Sequence, residues 1–260
     1  MSQTRIKLGM VGGGATAFIG AVHRIAMRMD DRFELVAGAL DVDAERGRAF
    51  AATLGIAPDR AYATYQELID REALRSDRVD AVVIVTPNFL HFPIAKAALE
   101  AGFDVICEKP MTTTLADAEA LAALVESSGR RFFLTHTYTG YPMVRQAREM
   151  IAAGEIGKLR RVEVEYLQDW LAAPVENTGA EGAVWRTDPK KAGVGGAIGD
   201  VGTHAWNLAA FVSGEEPSHL LAELSTLVEG RRVDDDAAIL LRYASGAKGS
   251  ILASQVLPGN

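Results

Sequence analysis

The fold of this chain is decided by the stretch Ile6-Lys7-Leu8-Gly9-Met10-Val11-Gly12-Gly13-Gly14-Ala15-Thr16-Ala17. Its first half is the apolar run of a buried strand, and three glycines follow at once. Beyond Ala17, apolar residues recur at helical spacing as far as Met29. A strand, a glycine turn and a helix in this order are the context in which the pattern G-x-G-x-x-G/A indicates a dinucleotide site.

Each small residue of the turn has an expected task. Gly12 would make the tight turn, and Gly14 would let the backbone approach a pyrophosphate. Ala15, Thr16 and Ala17 would open the helix, whose unpaired N–H groups and positive dipole end attract phosphate. Ala17 takes the place of the third glycine, and Phe18 to Gly20 are interpreted as extra length. An ordinary strand–helix turn is the alternative interpretation of this motif alone.

Strands and helices continue to alternate as far as residue 135. Further strands are predicted at residues 33–40, 81–85, 104–107 and 131–135, with helical patterns between them. The almost wholly apolar run Ala81–Val85 is typical of a central strand covered on both faces. This alternation predicts a doubly wound, parallel Rossmann sheet with right-handed crossovers.

Polar residues at the carboxyl ends of these strands are candidate cofactor ligands, because such loops face the ligand crevice. Asp41 lies 27 positions after Gly14, where a carboxylate would bind ribose hydroxyls and repel a 2′-phosphate. NAD is therefore favoured over NADP, which stays possible. Asp43 is a rival for this role, and either residue could instead cap the next helix.

The next two strands end in further candidates for cofactor contact: Thr86, Pro87, Asn88, His91, Glu108 and Lys109. For His91, a helix cap is the alternative role. Lys109 precedes a proline, so its backbone is stiff. It could donate to a substrate hydroxyl and stabilise developing alkoxide character. A surface lysine at a strand end is the competing interpretation.

A second glycine-rich stretch runs Gly195-Gly196-Ala197-Ile198-Gly199-Asp200-Val201-Gly202-Thr203-His204. If it is helical from about Ile198, Asp200 and His204 project from one face. A carboxylate that orients an imidazole is suited to taking a proton from a hydroxyl group. A capped helix with a satisfied core histidine is the alternative.

The bulk properties exclude several classes of protein. A chain of 260 residues is expected to form two domains, residues 1–137 and 138–260. A net charge of −7 without a Lys/Arg run argues against a nucleic-acid or anionic membrane surface. The single cysteine, Cys107, excludes an intrachain disulfide and is expected in the core. No metal-ligand spacing, membrane-spanning run or signal peptide is present, so a cytoplasmic enzyme without a metal is expected.

Four motifs of this chain occur in the order and approximate spacing of the Gfo/Idh/MocA oxidoreductases, which the chain therefore resembles. They are the glycine turn, Thr86-Pro87-Asn88, Glu108-Lys109-Pro110 and the stretch from Gly195 to His204. Within that family the chain is most similar to the sugar and inositol dehydrogenases, especially the levoglucosan dehydrogenase type. The resemblance implies a nucleotide-binding domain followed by an α/β domain with a large, open, mainly antiparallel sheet. It also implies that Lys109, Asp200 and His204 carry the catalysis.

The expected reaction is hydride transfer between nicotinamide and a hydroxyl group of a small sugar or polyol. Tyr138, Tyr141, Trp185 and Arg186 are expected to line the substrate pocket beside Asp200 and His204, although packing or loop anchoring is an alternative for each of these four. Two other functions stay open. One is a catalytically silent NAD-binding regulator or scaffold, and the other is redox-neutral glycoside chemistry with retained NAD.

The second domain is predicted to carry strands near residues 158–166, 220–228, 236–243 and 249–256. Members of the family that it resembles generally run longer, so this sheet is expected to be incomplete. An exposed sheet face or edge favours association, and a homodimer or homotetramer formed through this sheet is expected.

Overall fold

The computed structural model describes residues 4–259. Residues 1–3 and 260, which belong to the predicted domain ranges, lie outside the described residues. The chain divides into two compact units, Met1–Thr135 and His136–Asn260.

The first unit is a five-stranded parallel sheet in the order β2-β1-β3-β4-β5. This arrangement confirms the predicted doubly wound Rossmann sheet. Its strands are β1 (Ile6–Gly12), β2 (Phe33–Ala39), β3 (Ala81–Val85), β4 (Asp104–Cys107) and β5 (Phe132–Leu134), and its helices are α1 (Phe18–Arg28), α2 (Ala44–Thr53), α3 (Tyr65–Ala73), α4 (His91–Glu100) and α5 (Leu115–Ser128).

Helices cover both faces of this sheet. One apolar cluster packs alternate sheet residues such as Val82 and Ile84 against α3, α4 and α5. The other packs Met10, Val83 and their neighbours against α1 and α2. Every residue of β3 is buried, as expected of a central parallel strand. Cys107 is a fully buried core residue, and burial raises the pKa of its thiol.

The second unit is built around a four-stranded sheet in the order β6-β9-β8-β7. Two of its pairings are antiparallel, whereas β6 and β9 run parallel. Its strands are β6 (Arg161–Leu167), β7 (Pro217–Ser225), β8 (Asp236–Tyr243) and β9 (Lys248–Ser254), and its helices are α6 (Pro142–Ala152), α7 (Glu181–Arg186), α8 (Pro189–Ala192) and α9 (Thr203–Ser213), with a π-helix at Ile198–Gly202.

Helix α9 covers one face of this second sheet. Ala205 and Ala209 of the helix pack against Ile239, Leu241 and Ile251 of the sheet. The opposite face carries exposed leucines, among them Leu240 on β8 and Leu252 on β9. Strands β6, β8 and β9 therefore alternate between a packed and an open side, the pattern of a sheet covered on one face, whereas the edge strand β7 is exposed along most of its length.

Candidate active site

The turn after β1, residues 12–17, is here called the nucleotide turn. Gly12 and Gly13 have φ angles of +80° and +74°, which favour glycine. A methyl group on Gly14 would lie 2.9 Å from the carbonyl oxygen of Leu40, so this close approach also requires glycine. Ala15 and Thr16 are exposed, and the N-terminus of α1 has no side-chain cap. Two of the predicted phosphate-binding residues, Ala15 and Thr16, are therefore exposed beside an uncapped helix start.

The role of the third glycine falls on Gly20 and not on Ala17. A methyl group on Gly20 would lie 2.4 Å from the Cα atom of Gly13, so only glycine lets α1 pack this closely on the turn. Ala17 is the uncapped N-cap of the helix. The interpretation of Phe18 to Gly20 as mere extra length is wrong, because Gly20 provides the close packing of helix and strand.

The structure separates the two rival aspartates that follow β2. The carboxylate of Asp43 accepts hydrogen bonds from the N–H groups of Glu45 and Arg46 at 3.0 Å, so Asp43 caps α2. Asp41 lies beside Gly14 and forms an ion pair with Arg46 at 2.9 Å. The hydrogen bond from Arg46, followed by the N–H group of Asp43, holds the pKa of Asp41 below its ordinary value. Asp41 remains the candidate ribose ligand.

The loop after β3 fits a nucleotide next to the turn. A methyl group on Gly12 would lie 2.9 Å from Cγ2 of Thr86, so the two loops are in close contact. The hydroxyl oxygen of Thr86 is buried and has no hydrogen-bond partner within residues 4–259. Pro87 precedes a short 3-10 turn, and Asn88, its first residue, is buried. A cradle that excludes Cβ atoms and an unsatisfied hydroxyl are what a bound dinucleotide would require there.

His91 is fully buried at the start of α4. Its Nδ1 atom lies 2.7 Å from the carbonyl oxygen of Pro110 and its Nε2 atom 3.0 Å from that of Thr86. The ring therefore joins the loops after β3 and β4, and this geometry favours positioning of those loops over direct contact with a cofactor. Burial lowers the pKa of His91.

Glu108 is the centre of a buried polar cluster at the end of β4. Its carboxylate accepts hydrogen bonds from Nε2 of His23 at 2.8 Å and from the hydroxyl of Thr135 at 2.7 Å, and the N–H group of Lys109 adds a third. Burial opposes ionisation, but the donors His23 and Thr135 outweigh it and hold the pKa of Glu108 below its ordinary value. Lys109 is half-buried, and its peptide bond to Pro110 is cis.

In the second unit, His204 lies in a cluster of rings. The ring of Tyr138 is 4.8 Å from the His204 ring between centroids, and the rings of His136 and Tyr166 are 5.7 and 6.0 Å away. The hydroxyls of Tyr138 and Tyr166 are hydrogen-bonded at 2.6 Å. Burial and this hydrogen bond raise the pKa of Tyr166. Tyr141 is half-exposed and packs edge-on against Tyr138.

Asp200 lies one turn before His204 and takes part in a separate set of contacts. Its Oδ2 atom accepts hydrogen bonds from Nε of Arg186 at 3.2 Å and from the side-chain amide of Gln255 at 2.8 Å. The guanidinium of Arg186 lies over the ring of Trp185 at 4.1 Å and near that of Trp170 at 5.8 Å. Arg186 therefore joins the carboxylate of Asp200 to the rings of Trp170 and Trp185, which are here called the aromatic wall.

The turn that carries Asp200, residues 195–200, is here called the catalytic turn. Asp234 holds it: its carboxylate accepts the N–H groups of Gly196 and Ile198, each at 2.7 Å, and its carbonyl oxygen accepts that of Ala197 at 2.9 Å. Burial raises the pKa of Asp234 despite these donors. The segment expected to be α-helical from Ile198 is a π-helix as far as Gly202, a feature that frequently marks functional sites.

Sequence reasoning missed Tyr166, Gln255 and Asp234. Tyr166 lies on the alternating strand β6, on the side that α9 covers, so its position in the pattern could have indicated it. Gln255 and Asp234 reach Asp200 and the catalytic turn from 55 and 38 residues away, and no local pattern signals such pairs. His23 on α1 is a further residue that sequence reasoning did not assign to this site: it is the part-buried partner of Glu108.

Residues 4–259 lack two other kinds of feature. Every helix within that range is too short or too polar to span a membrane. The same residues contain no group of three or more His, Cys, Asp or Glu side chains that could hold a metal ion.

The geometry agrees with comparisons against known proteins. Residues 6–136 match the family model described as "Oxidoreductase family, NAD-binding Rossmann fold", and residues 144–260 match the Gfo/Idh/MocA C-terminal domain. The chain therefore belongs to the Gfo/Idh/MocA family, and its first unit is an NAD-binding Rossmann domain.

Among its relatives is the uncharacterized oxidoreductase YfiI of Bacillus subtilis, which is 37% identical over 98% of this chain and 65% of its own length. Levoglucosan dehydrogenase of Pseudarthrobacter phenanthrenivorans is 31% identical over 96% of this chain and 67% of its length.

Two solved structures of an inositol dehydrogenase homologue from Azotobacter vinelandii superpose closely on this chain. The complex with NAD+ has a TM-score of 0.95 at 40% identity, and that with NADH and myo-inositol has 0.91 at 39%. Each match covers 99% of this chain and 66% of the solved one. The chain thus spans about two thirds of the length of these relatives.

Proposed function

We propose that this chain is the nucleotide-binding and substrate-binding part of an NAD-dependent dehydrogenase that oxidises a CH–OH group of a sugar or polyol. The proposal is carried by two neighbouring arrangements on a chain with an NAD-binding domain: the carboxylate of Asp200 is paired with Arg186, and the imidazole of His204, one helical turn further on, packs against Tyr138. Imidazole, carboxylate and aromatic faces are the groups that bind and deprotonate a sugar hydroxyl.

The cofactor would be held by the residues around the nucleotide turn and the loops after β2, β3 and β4. Bound NAD would supply the hydride acceptor. Asp41 would bind the ribose hydroxyls and disfavour a 2′-phosphate. The phosphate-binding N–H groups would come from Gly14, Ala15 and Thr16 at the uncapped start of α1.

Residues of this chain would then accept the proton of the substrate hydroxyl and stabilise the resulting negative charge. His204 would take the proton of the reacting hydroxyl as general base, and Asp200 would orient its ring. Lys109 would donate a hydrogen bond to the same substrate oxygen and lower the energy of its alkoxide character. Arg186 holds the charge of Asp200 in place through its Nε atom.

The substrate class is supported by the aromatic lining and by the relatives. Tyr138, Tyr141 and Trp185 would offer aromatic surface to the C–H groups of a sugar ring. One relative is a levoglucosan dehydrogenase, and a solved homologue carries myo-inositol. We therefore infer an uncharged sugar or cyclic polyol as substrate.

The test is a nicotinamide absorbance assay against a panel of inositols, anhydrosugars and pyranoses. His204→Ala and Lys109→Ala should each lower kcat by at least ~10²-fold, the usual scale for losing a general base or an oxyanion donor. His219→Ala, which changes an exposed histidine on β7, is the matched control and should keep the wild-type rate. Near-normal rates in either active-site variant would contradict the assignment.

We also propose that a second copy of the chain covers the open face of the second sheet. Leu221, Leu240 and Leu252 stand on this face, 70%, 58% and 39% exposed, and the first two are cross-strand partners. Light scattering should show a dimer or tetramer that Leu240→Glu converts to smaller species. An unchanged mass for the variant would contradict this role of the sheet.

A further inference from the structure

Gln255 holds a fixed and almost completely buried position directly after β9. It is 2% exposed. Its N–H group donates to the carbonyl oxygen of Asp235 at 2.9 Å, and its own carbonyl oxygen accepts the N–H group of Leu171 at 3.0 Å. The backbone is therefore held on both sides of the position from which the side chain extends. Its amide reaches Oδ2 of Asp200 at 2.8 Å.

The same oxygen of Asp200 receives a second donor from another direction. Nε of Arg186 lies 3.2 Å away, and Nη1 of Arg186 donates to the carbonyl oxygen of Gly182 at 3.1 Å. Two donors on one carboxylate oxygen, one of them charged, restrict the rotation of the carboxylate. The guanidinium of Arg186 cannot shift without losing its contact with Gly182.

Gln255 also adjoins the aromatic wall. The N–H group of Gln168 donates to the carbonyl oxygen of Ser254 at 2.9 Å, so the chain from Gln168 to Leu171 continues the pairing beside β9. Trp170 lies in this segment, and its indole N–H donates to the side chain of Gln168 at 3.1 Å. Both the carboxylate of Asp200 and the Trp170 side of the aromatic wall are therefore held by hydrogen bonds at the C-terminal end of β9.

From this geometry we propose that Gln255 is a positioning residue that, together with Arg186, fixes the carboxylate of Asp200 for its work with His204. The proposal rests on the function proposed above for Asp200. It assigns the orientation of the carboxylate to a residue that does not touch the reacting atoms. Among the described residues, the charged and titratable groups around this contact include Arg186 and Tyr166, and the ring of His204 lies beside that of Tyr166.

The test replaces the amide with groups of similar size. In Gln255→Glu a second carboxylate would face Oδ2 of Asp200, and its negative charge would favour the protonated form of the base His204. The acid limb of the kcat–pH profile should move to higher pH by at least ~1 unit, and kcat at neutral pH should fall ~10-fold or more while KM changes less than about threefold. Gln255→Leu should lower kcat without moving this limb upward.

The matched control is Gln66→Glu. Gln66 makes the same kind of contact, from its side-chain amide to Oδ1 of Asp70 at 2.9 Å, on the exposed surface of α3. This variant should reproduce the wild-type profile. If Gln255→Glu also gives the wild-type profile, the proposal is wrong.

A second measurement is independent of turnover. The side-chain signals of the 5 histidines can be titrated by NMR, with His204 assigned by its replacement. The titration midpoint of His204 should rise by at least ~0.5 unit in Gln255→Glu, because a negative charge has been added nearby. An unmoved midpoint overturns the proposal. A wild-type chain without activity on the whole panel would instead contradict the proposed function, and the NMR titration would still decide the role of Gln255.

Discussion

The nucleotide turn and the catalytic turn are both glycine-rich and both precede a helix, yet they treat their backbone N–H groups in opposite ways. The nucleotide turn leaves the start of α1 without a side-chain cap. In the catalytic turn, Asp234 accepts the N–H groups of three successive residues, Gly196, Ala197 and Ile198. The nucleotide turn can therefore bind the phosphate of a ligand, whereas the N–H groups of the catalytic turn are already bonded to Asp234.

The glycines also serve different ends. Gly12 and Gly13 provide positive φ angles, and Gly20 provides close packing against Gly13. Gly196 is required because a methyl group there would lie 2.0 Å from the carbonyl oxygen of Asp234. The comparison teaches that glycine richness by itself does not identify a ligand site. The groups that satisfy the backbone donors distinguish the two turns.

The largest effect on stability is expected in the catalytic turn, where Asp234 accepts the backbone N–H groups. Gly196→Ala would push a methyl group into the backbone of Asp234 and should lower the free energy of unfolding by about 3 kcal/mol or more. Gly199→Ala is the control, because its methyl group would enter open space. Urea unfolding measures both, and equal stability of the two variants would contradict the internal closure.

The next effect tests the packing beneath the nucleotide turn. Gly20→Ala would force α1 away from Gly13 and should destabilise the protein by about 2 kcal/mol. The affinity for NAD, measured by calorimetry, should fall about tenfold or more, because the helix start moves with the helix. Ala21→Ser, at the exposed neighbouring position, should leave the affinity unchanged. An affinity for NAD in Gly20→Ala equal to that of the wild type would contradict this role of Gly20.

A pH-dependent effect is expected from the buried cluster that links α1 to Lys109. The folded pKa of Glu108 lies below its ordinary value of 4.5, so the ionised side chain stabilises the fold above that pH and stops doing so as the pH falls through the lowered value. Glu108→Gln should lose about 2 kcal/mol at pH 7 and less in acid. Urea unfolding across this range measures the difference. Glu100→Gln, on the exposed surface of α4, should show no such trend.

The smallest effect separates the two aspartates beside the nucleotide turn. Asp41→Ser should release Arg46 from its ion pair and raise the preference for NADP over NAD by about tenfold, or ~1.4 kcal/mol. Asp43→Ser should leave the preference as it is, because serine also caps α2. Relative kcat/KM values for the two cofactors measure it. An unchanged preference in Asp41→Ser would show that another residue selects the cofactor.

Much of the architecture follows from local patterns in the sequence. The apolar run Ala81–Val85 and the alternation of strands and helices predicted the parallel sheet, because burial on both faces demands such runs. The pattern also predicted the strands of the second sheet to within a few residues. It did not predict the π-helix at Ile198–Gly202, since its glycines allow either helical form and the contacts with Asp234 lie 38 residues away.

The sequence by itself determined the Rossmann sheet, the glycine turn and the motifs that carry Lys109, Asp200 and His204, because each is written in neighbouring residues. Only the tertiary structure decided that Gly20 packs against Gly13, that Asp43 caps a helix, and that Gln255 and Asp234 hold the catalytic turn. The physical reason is that helix periodicity and strand alternation are local. Pairing a buried donor with a distant acceptor depends on how strands far apart in sequence meet in the sheet.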